Sequence, residues 1–399
     1  MIERDLKPGW KVWRFEQMAT NVNVRIDNPS ESGMEYYVGL EHLDPDSLRI
    51  RRWGSPDDVG ATKLMFKKGD IIFGRRRAYQ RKLGVAEFDG ICSAHAMVLR
   101  AKPDVVLPEF LPFFMQSDLF MNRAVEISVG SLSPTINWKT MAVQEFALPP
   151  KDEQEKLVRL FIASDEVTES YRDATLAIEA ARQAFLSYSF PEDPLSNNIA
   201  PSTSVRRLDE LAEIRTGLAL GKKHGEADLV SRPYLRVANV LDGALDLTEM
   251  KTVEVRTDEL ERYELREGDV LMTEGGDFDK LGRGTVWRGQ VEGCLHQNHV
   301  FAVRSNESLL LPAYLAAIAR SPYGKRYFLS CAKKTSNLAS INKKQLSSFP
   351  VLWVPLDVQL QVADLVAAYD LTEKQLRERL ASKKKLTSKL VNGMLERNT

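Results

Sequence analysis

Residues 74–82, GRRRAYQRK, carry the densest chemistry in the chain, with Arg75, Arg76, Arg77, Arg81 and Lys82 interleaved with Tyr79 and Gln80. With Lys67 and Lys68 upstream, residues 63–82 hold eight basic side chains against one acid, Asp70. Guanidinium groups can clamp guanine O6 and N7, a Gln amide matches adenine, and Lys holds phosphates. Such a loop therefore offers groups both to position a duplex and to read it. A solvated charged turn would have the same composition. A second loop, TEGGDFDKLGRG at 273–284, has different chemistry: Thr273, Glu274, Asp277, Lys280 and Arg283. Its carboxylates could accept from cytosine N4, and Arg283 could reach guanine. Residues 323–344 contain Lys325, Arg326, Lys333, Lys334, Lys343 and Lys344 and no acid, with turns at Ser336-Asn337 and Ile341-Asn342. Phosphate contact is their expected role. The matching earlier segment SLSPTINWK adds Ser133, Thr135, Asn137 and Lys139 to the candidate DNA-contact set, beside Asn342 and Lys343.

No catalytic constellation accompanies these groups. The single Asn-Pro, Asn28-Pro29-Ser30, lacks the second Pro and aromatic of an adenine methyltransferase motif. GLALGKK at 217–223 is one residue short between its glycines and ends in Lys223 where a phosphate loop needs Ser or Thr. Glu249-Met250-Lys251 matches a nuclease triple only as any chain with 28% charged residues would. His95 and His299 fall at equivalent places on expected strands and read as satisfied structural histidines. His296 has no third ligand nearby for a metal. Cys92, Cys294 and Cys331 are too scattered for a disulfide framework or paired thiolates, and read as small buried apolar residues.

The elements that must hold these loops are repeated. KKGDII at 67–72 matches REGDVL at 266–271, an offset of 199. LPEFLPFFMQSD at 107–118 matches LPAYLAAIARSP at 311–322, both reading as Pro-started helices, at offset 204. SLSPTINWK at 131–139 matches SNLASINKK, and PKDEQEKLVRLF matches PLDVQLQVADLV, at offset 205. Ordered matches with slowly growing offsets are the mark of a duplicated domain with loop insertions. Each copy opens with short β-branched and aromatic runs, GDIIFG, AMVLR, PYLRVANV and VFAVR, that read as a mixed α/β globule.

Each copy closes with a long polar helix. Leu157, Leu160, Ser164, Val167, Tyr171, Ala174, Ile178, Ala181 and Phe185 alternate spacings of three and four, a coiled-coil period. The same register falls on Val362, Leu365, Tyr369, Thr372, Leu376, Arg379, Lys383, Leu386 and Leu390, and the two seams are expected to pair. Asp152 and Asp357 are the expected N-caps, while Pro191 and Pro194 forbid continuation of the first helix. At 1.5 Å per residue that helix would be about 50 Å long, enough to act as a ruler between two DNA contacts.

The composition is that of a globular protein, 43% hydrophobic and without an apolar run long enough for a bilayer span. A secretory leader is not read at the N-terminus, so the expected location is cytoplasmic. The 55 basic and 55 acidic residues balance, so DNA binding must come from local clusters. The helix at 151–186 is itself acidic, with eight acids to five bases.

Taken together, the chain resembles the specificity subunits of type I restriction-modification enzymes over its whole length. The closest local resemblances are GDIIFGRRRAYQRKLGVAEFDGICS, GDVLMTEGGDFDKLGRG with HQNHVFAVR, and the I-N-x-K to P-x-D-x-Q helix starts. The resemblance implies an α+β fold. Two similar mixed α/β target-recognition domains would be separated by two long antiparallel coiled-coil helices, in a pseudo-twofold internal repeat. The segments would be a first domain at 1–150, a spacer helix at 151–190, a linker at 191–204, a second domain at 205–355 and a C-terminal helix at 356–399. It further implies a non-catalytic subunit that reads a split, asymmetric sequence in double-stranded DNA and docks two modification subunits. A restriction and motor subunit could join them. The chain itself would hold no cofactor; S-adenosylmethionine, ATP and magnesium would belong to the partners. Two other readings are a fused restriction-class enzyme and a duplicated coiled-coil adaptor that binds protein and no nucleic acid.

Overall fold

Unbroken apolar runs such as IIFG and VLMT are the pattern of strands covered on both faces. Both are buried along their whole length, at Ile71–Gly74 and Val270–Thr273. The computed structural model describes residues 6–191, 203–221, 228–276, 278, 281–334 and 339–395. It divides into two compact units, Met1–Arg172 with Glu378–Thr399, and Asp173–Arg377.

In the first unit an antiparallel sheet runs Ala19–Val22, Ala96–Ala101, Ile71–Gly74, Leu83–Val85. The second unit repeats that order with Ala212–Thr216, Val300–Ser305, Val270–Thr273 and Gly284–Val286. Each unit also pairs its opening strand with the strand that leads into a long helix. Lys11–Arg14 lies against Glu145–Leu148, and Ser204–Arg207 against Pro350–Trp353. The copies diverge in the remaining sheet. The first unit orders Arg25–Ile26, Lys63–Phe66, Gly90–Ser93 and Tyr37–Val38, the last pair parallel. The second sets Leu229–Leu235 between Lys251–Arg256 and a parallel Leu295–His296. The run PYLRVANV is accordingly split, its start in Leu229–Leu235 and its end in the turn Val237–Asn239. The expected mixed α/β duplication is present.

A carboxylate is buried at the same place in each copy. Asp70 and Asp269 are each 1% exposed, and each takes a bidentate guanidinium from the neighbouring strand. Arg100 donates at 2.7 and 2.8 Å, Arg304 at 2.8 and 2.7 Å. The Lys67 and Arg266 amides close the turn on the same carboxylates at 2.9 and 2.8 Å. A buried carboxylate without such partners would be strongly destabilising.

The long helices span Lys151–Ser189 and Leu356–Leu395, roughly 58 and 60 Å at 1.5 Å per residue. They start one residue after Pro150 and Pro355, whose carbonyls accept from the Gln154 and Gln359 amides at 3.0 Å. Asp152 and Asp357 are therefore inside the first turn, where the helix dipole favours a carboxylate, rather than at the caps. The motif's Gln does the anchoring. Gln154 accepts from Leu107 N at 2.9 Å and donates to Pro149 O at 2.9 Å. Gln359 accepts from Leu311 N at 2.9 Å and donates to Val354 O and Leu309 O at 2.8 and 3.0 Å. The helices Phe110–Gln116 and Pro312–Arg320 lie beside these anchors; only the second starts at its proline.

Within each unit the start of one long helix shares a core with the end of the other. Leu157, Val158 and Phe161 meet Val391 and Leu395 in the first unit. Leu186 and Phe190 meet Val366 in the second. The helices are thus antiparallel, as expected, but half of the expected seam is displaced by one residue. Leu157, Ser164, Tyr171, Ile178 and Phe185 face inward, whereas Leu160 and Val167 are 40% and 44% exposed, and Phe161, Thr168, Thr175 and Arg182 take the inward places. In the second helix Val366, Glu373, Leu380 and Thr387 replace Leu365, Thr372, Arg379 and Leu386. Polar bonds close this seam: Ser164 Oγ with Thr387 Oγ1 at 2.8 Å, Lys383 Nζ to Ser164 Oγ at 2.9 Å, and Arg182 with Asp370 and Glu373. The first helix ends before Pro191, and the strand Ser204–Arg207 follows; the linker's residues 192–202 lie outside the described residues. Among the described residues no helix is long and apolar enough to cross a membrane. Cys92 and Cys294 are buried and Cys331 is partly so.

Replacing Gln154 or Gln359 with Leu strands buried backbone groups and should cost about 2 kcal/mol or more at either site. Denaturant titration checks this, and an unchanged midpoint for both variants contradicts the anchoring role. A pH dependence follows from His296, which is 1% exposed and whose Nδ1–H donates to Val300 O at 2.6 Å. Burial holds its pKa below the ordinary value, outweighing that bond. The unfolded chain takes up a proton at about pH 6.5 where the folded one does not, so the stabilisation is full above that pH and lost as pH falls. The denaturation midpoint of the second unit should drop between pH 7.5 and 5.5, and the H296N variant should lose part of that slope. An identical slope in the variant refutes the assignment.

Candidate nucleic-acid interface

The strand Ile71–Gly74 delivers the basic loop, and a distant segment holds it. Arg76 bridges Thr135, Ile136 N donates to Arg75 O at 3.0 Å, and Arg77 N donates to Pro134 O at 2.7 Å. Ile136 is fully buried, so the segment is pinned to the core. Arg77 and Arg81 have φ of 58° and 52°, left-handed values that non-glycine residues adopt at a cost. They bracket the turn Ala78–Gln80, whose Ala78 is buried and whose Tyr79 is 55% exposed. Ser133 Oγ accepts from both Arg76 Nη2 and Arg77 Nη2, at 3.1 and 3.2 Å. The result is a fan of guanidinium groups with Thr135 behind it.

His95 and His299 differ from expectation. Both occupy exposed turns, just before Ala96–Ala101 and Val300–Ser305, because the strands begin one residue later. His95 Nε2 lies 3.4 Å from Arg76 Nη1. Burial, then Arg76, Arg75 and Lys63, hold its pKa below the ordinary value, which favours the neutral ring beside Arg76.

Not every basic residue of the sequence cluster joins the fan. Lys67 and Lys68 sit in the turn at the opposite end of the strand, about 13 Å of extended chain away. Arg81 is spent on Asp46 at 2.6 Å and Asp118 at 3.0 Å, and Lys82 Nζ donates to Leu40 O at 2.7 Å. Gln80 is half-buried. Asn137 spends its Oδ1 capping the short helix Trp138–Ala142, and Lys139 is exposed. Val129 and Leu132, 78% and 90% exposed, stand beside the fan. Nothing in their residue type or spacing marks these two in the sequence.

The second unit uses the same frame. Ile341 N donates to Glu274 O at 2.8 Å, the counterpart of the bond from Ile136 to Arg75. Gly275–Gly276, Ala339–Ser340 and Lys333–Lys334 form a small ribbon. Glu274 Oε2 lies 2.5 Å from His299 Nδ1. Thr273 is buried, its amide bonded to Arg283 O at 3.0 Å. Lys333 and Lys343 are exposed, while Asn342 caps the helix Lys343–Ser347 by accepting from Gln345 N. Asp277, Lys280, Ser336 and Asn337, and the side chain of Lys334, lie outside the described residues. At one backbone position the first unit thus presents Arg75 and the second Glu274. Among the described residues no group of His, Cys, Asp and Glu could hold a metal ion.

Comparison with known proteins fits this arrangement. Residues 60–179 and 202–382 each match the type I restriction modification DNA specificity domain. The specificity subunit of the type I restriction enzyme EcoKI from Escherichia coli K12 is 26% identical over 353 residues, covering 84% of this chain and 74% of that protein. In a solved structure of complex assembly and conformational transition of the type I R-M system, one chain matches with a TM-score of 0.57 at 22% identity. The match covers 97% of this chain and 99% of that one. The S subunit of a type I restriction-modification system from M. genitalium matches at 0.56 and 14% identity, over 100% and 99% of the two chains. These likenesses to solved structures carry the fold, and the double domain match carries the kinship: the chain belongs to the type I restriction modification DNA specificity family, whose domain it contains twice.

Proposed function

We propose that this chain is the DNA sequence-specificity subunit of a type I restriction-modification system, each recognition domain reading one half of a bipartite, asymmetric target. The observation that carries this reading is the shared frame that presents Arg75 in one copy and Glu274 in the other. A guanidinium suits guanine and a carboxylate suits cytosine N4, so equivalent scaffolds select different bases. The adaptor alternative finds no support, since the matched family is one of DNA specificity.

The chain works without chemistry of its own, in the cytoplasm, and the partners supply it: two modification subunits that transfer methyl groups from S-adenosylmethionine to adenine, and a restriction subunit using ATP and magnesium. Docking along the long helices is supported by the apolar side chains that the polar seam leaves outward. Leu160, Val167, Leu176, Leu365 and Leu386 are 40–61% exposed. Apolar residues in series on a solvent face mark interaction surfaces.

Replacing Arg76 and Arg77 with Ala should relax base preference in one half-site and leave the other half and the spacer intact. Sequencing of methylated sites made by the complex with its modification subunits reads this, and equal loss in both halves sinks the two-reader model. Inserting one heptad at matched points of both long helices lengthens them by about 10 Å, close to three base pairs of duplex. The preferred spacer should grow by about three base pairs; an unchanged spacer removes the ruler role.

A further inference from the structure

Where the first unit's chain passes from Ala19–Val22 in one sheet to Arg25–Ile26 in the other, it borders a cavity of about 520 Å³. Asn21, Asn23 and Arg25 line it, at alternate positions of an extended chain and so on one face. Arg75, Asn137 and Lys139 line the other side, which joins it to the arginine fan. The remaining wall is Thr62, Trp138 and small or apolar residues, and no acid faces the space. Arg75 Nη2 donates to Ala94 O at 3.0 Å, while its buried Nε has no partner. Among the described residues the side chains of Asn21, Asn23, Arg25 and Lys139 have no hydrogen-bond or ion-pair partner.

The matching segment of the second unit is built differently among the described residues. By strand register, Ala19 pairs with Ala101 as Ala212 pairs with Ser305, which places Ile214, Thr216 and Leu218 at the positions of Asn21, Asn23 and Arg25. Leu218 is 2% exposed and bridges Gln297, and a side chain at Gly217 would collide with the His296 carbonyl. In one copy the matching places hold a buried Ile214, an exposed Thr216 and a Leu218 sealed into the core. In the other the segment is polar, cationic and open.

We infer that this cleft is a second reading element of the first domain, taking one strand of the duplex, with Arg25 and Lys139 on phosphates and the Asn21 and Asn23 amides on the edge of an adenine–thymine pair. The chemistry selects this ligand. Three cations without an acid attract a polyanion, and an unpartnered Asn amide matches the donor and acceptor pair of adenine N6 and N7. The differently built counterpart confines the element to one half-site. The inference rests on the proposed function.

The test selects bound duplexes from a random-sequence library with the full-length chain assembled with its modification subunits, and compares N21A/N23A and R25A variants. The double Asn variant should relax one or two positions, A·T in the wild type, within one half-site. It should leave the other half-site and the salt dependence as they were. The R25A variant should weaken binding evenly across sequences and lower the slope of log affinity against log salt by about one. A wild-type motif that is bipartite but unchanged in both variants overturns the cleft assignment alone. Selection of G·C pairs at the relaxed positions overturns the adenine assignment. A wild-type selection with no bipartite motif overturns the proposed function itself. Circular dichroism of both variants guards against misfolding, and relaxed preference in a variant that has lost its folded signal counts against the cleft.

Discussion

The structure turns on one backbone hydrogen bond made twice, from Ile136 N to Arg75 O and from Ile341 N to Glu274 O. Each joins the end of a buried strand to a residue pinned in the core, since Ile136 and Ile341 are 0% and 1% exposed. From Ile136 the chain passes through the capped helix Trp138–Ala142 and the strand Glu145–Leu148 to the long helix at Lys151–Ser189. The second copy runs through Lys343–Ser347 and Pro350–Trp353 to Leu356–Leu395. The position that presents Arg75 or Glu274 is therefore tied by a short, fully structured path to the helix beside it. A reading group so held keeps its place when the loop around it changes.

The repeat offsets show where change was accepted. They stand at 199 on the buried strands and the Asp70 and Asp269 turns, and at 204 by the Arg100 and Arg304 that clamp those carboxylates. The added residues thus fall between the two halves of an ion pair made in both copies, in the stretch that contains the loops. The clamp fixes adjacent strands whatever length of chain runs between them, and loop-closure cost grows only slowly with length. A scaffold of this kind tolerates loops of different size and charge.

Much of this is legible in the sequence because duplication doubles the signal: the buried strands, the Pro-to-Gln helix starts and the pairing of the two long helices follow from the repeat, and their antiparallel sense from the family resemblance. The displaced seam positions are not legible, for a physical reason. A reader of periodicity assigns apolar residues inward, but Thr168, Thr175, Arg182, Glu373 and Thr387 take the inward places through hydrogen bonds and ion pairs. The neighbouring Leu and Val residues are left facing solvent. His95 and His299 were misplaced by a single residue at a strand start, enough to turn a core side chain into a surface one. Asn21, Asn23 and Arg25 gave no signal, since their meaning comes from Arg75 and Asn137, remote in sequence and adjacent in the fold.

Neutral net charge and DNA reading are reconciled by pairing. Arg100, Arg304 and Arg320 are locked to Asp70, Asp269, and Asp242 with Asp370. Arg51 and Arg172 meet Asp44, and Arg182 meets Asp370 and Glu373. These partners neutralise cations that hold sheets and helices together, so they add little to any field beyond their own neighbourhood. Arg25 and Lys139 are among the cations without such partners, and with Arg75, the neighbour of the hydrogen-bonded Arg76 and Arg77, they line one cleft of the first unit. A local field of that kind selects where a duplex docks, whereas a uniformly basic surface would bind DNA everywhere and weaken discrimination between sites. Neutrality overall is thus compatible with specificity, since the affinity that matters is the margin over non-specific contact.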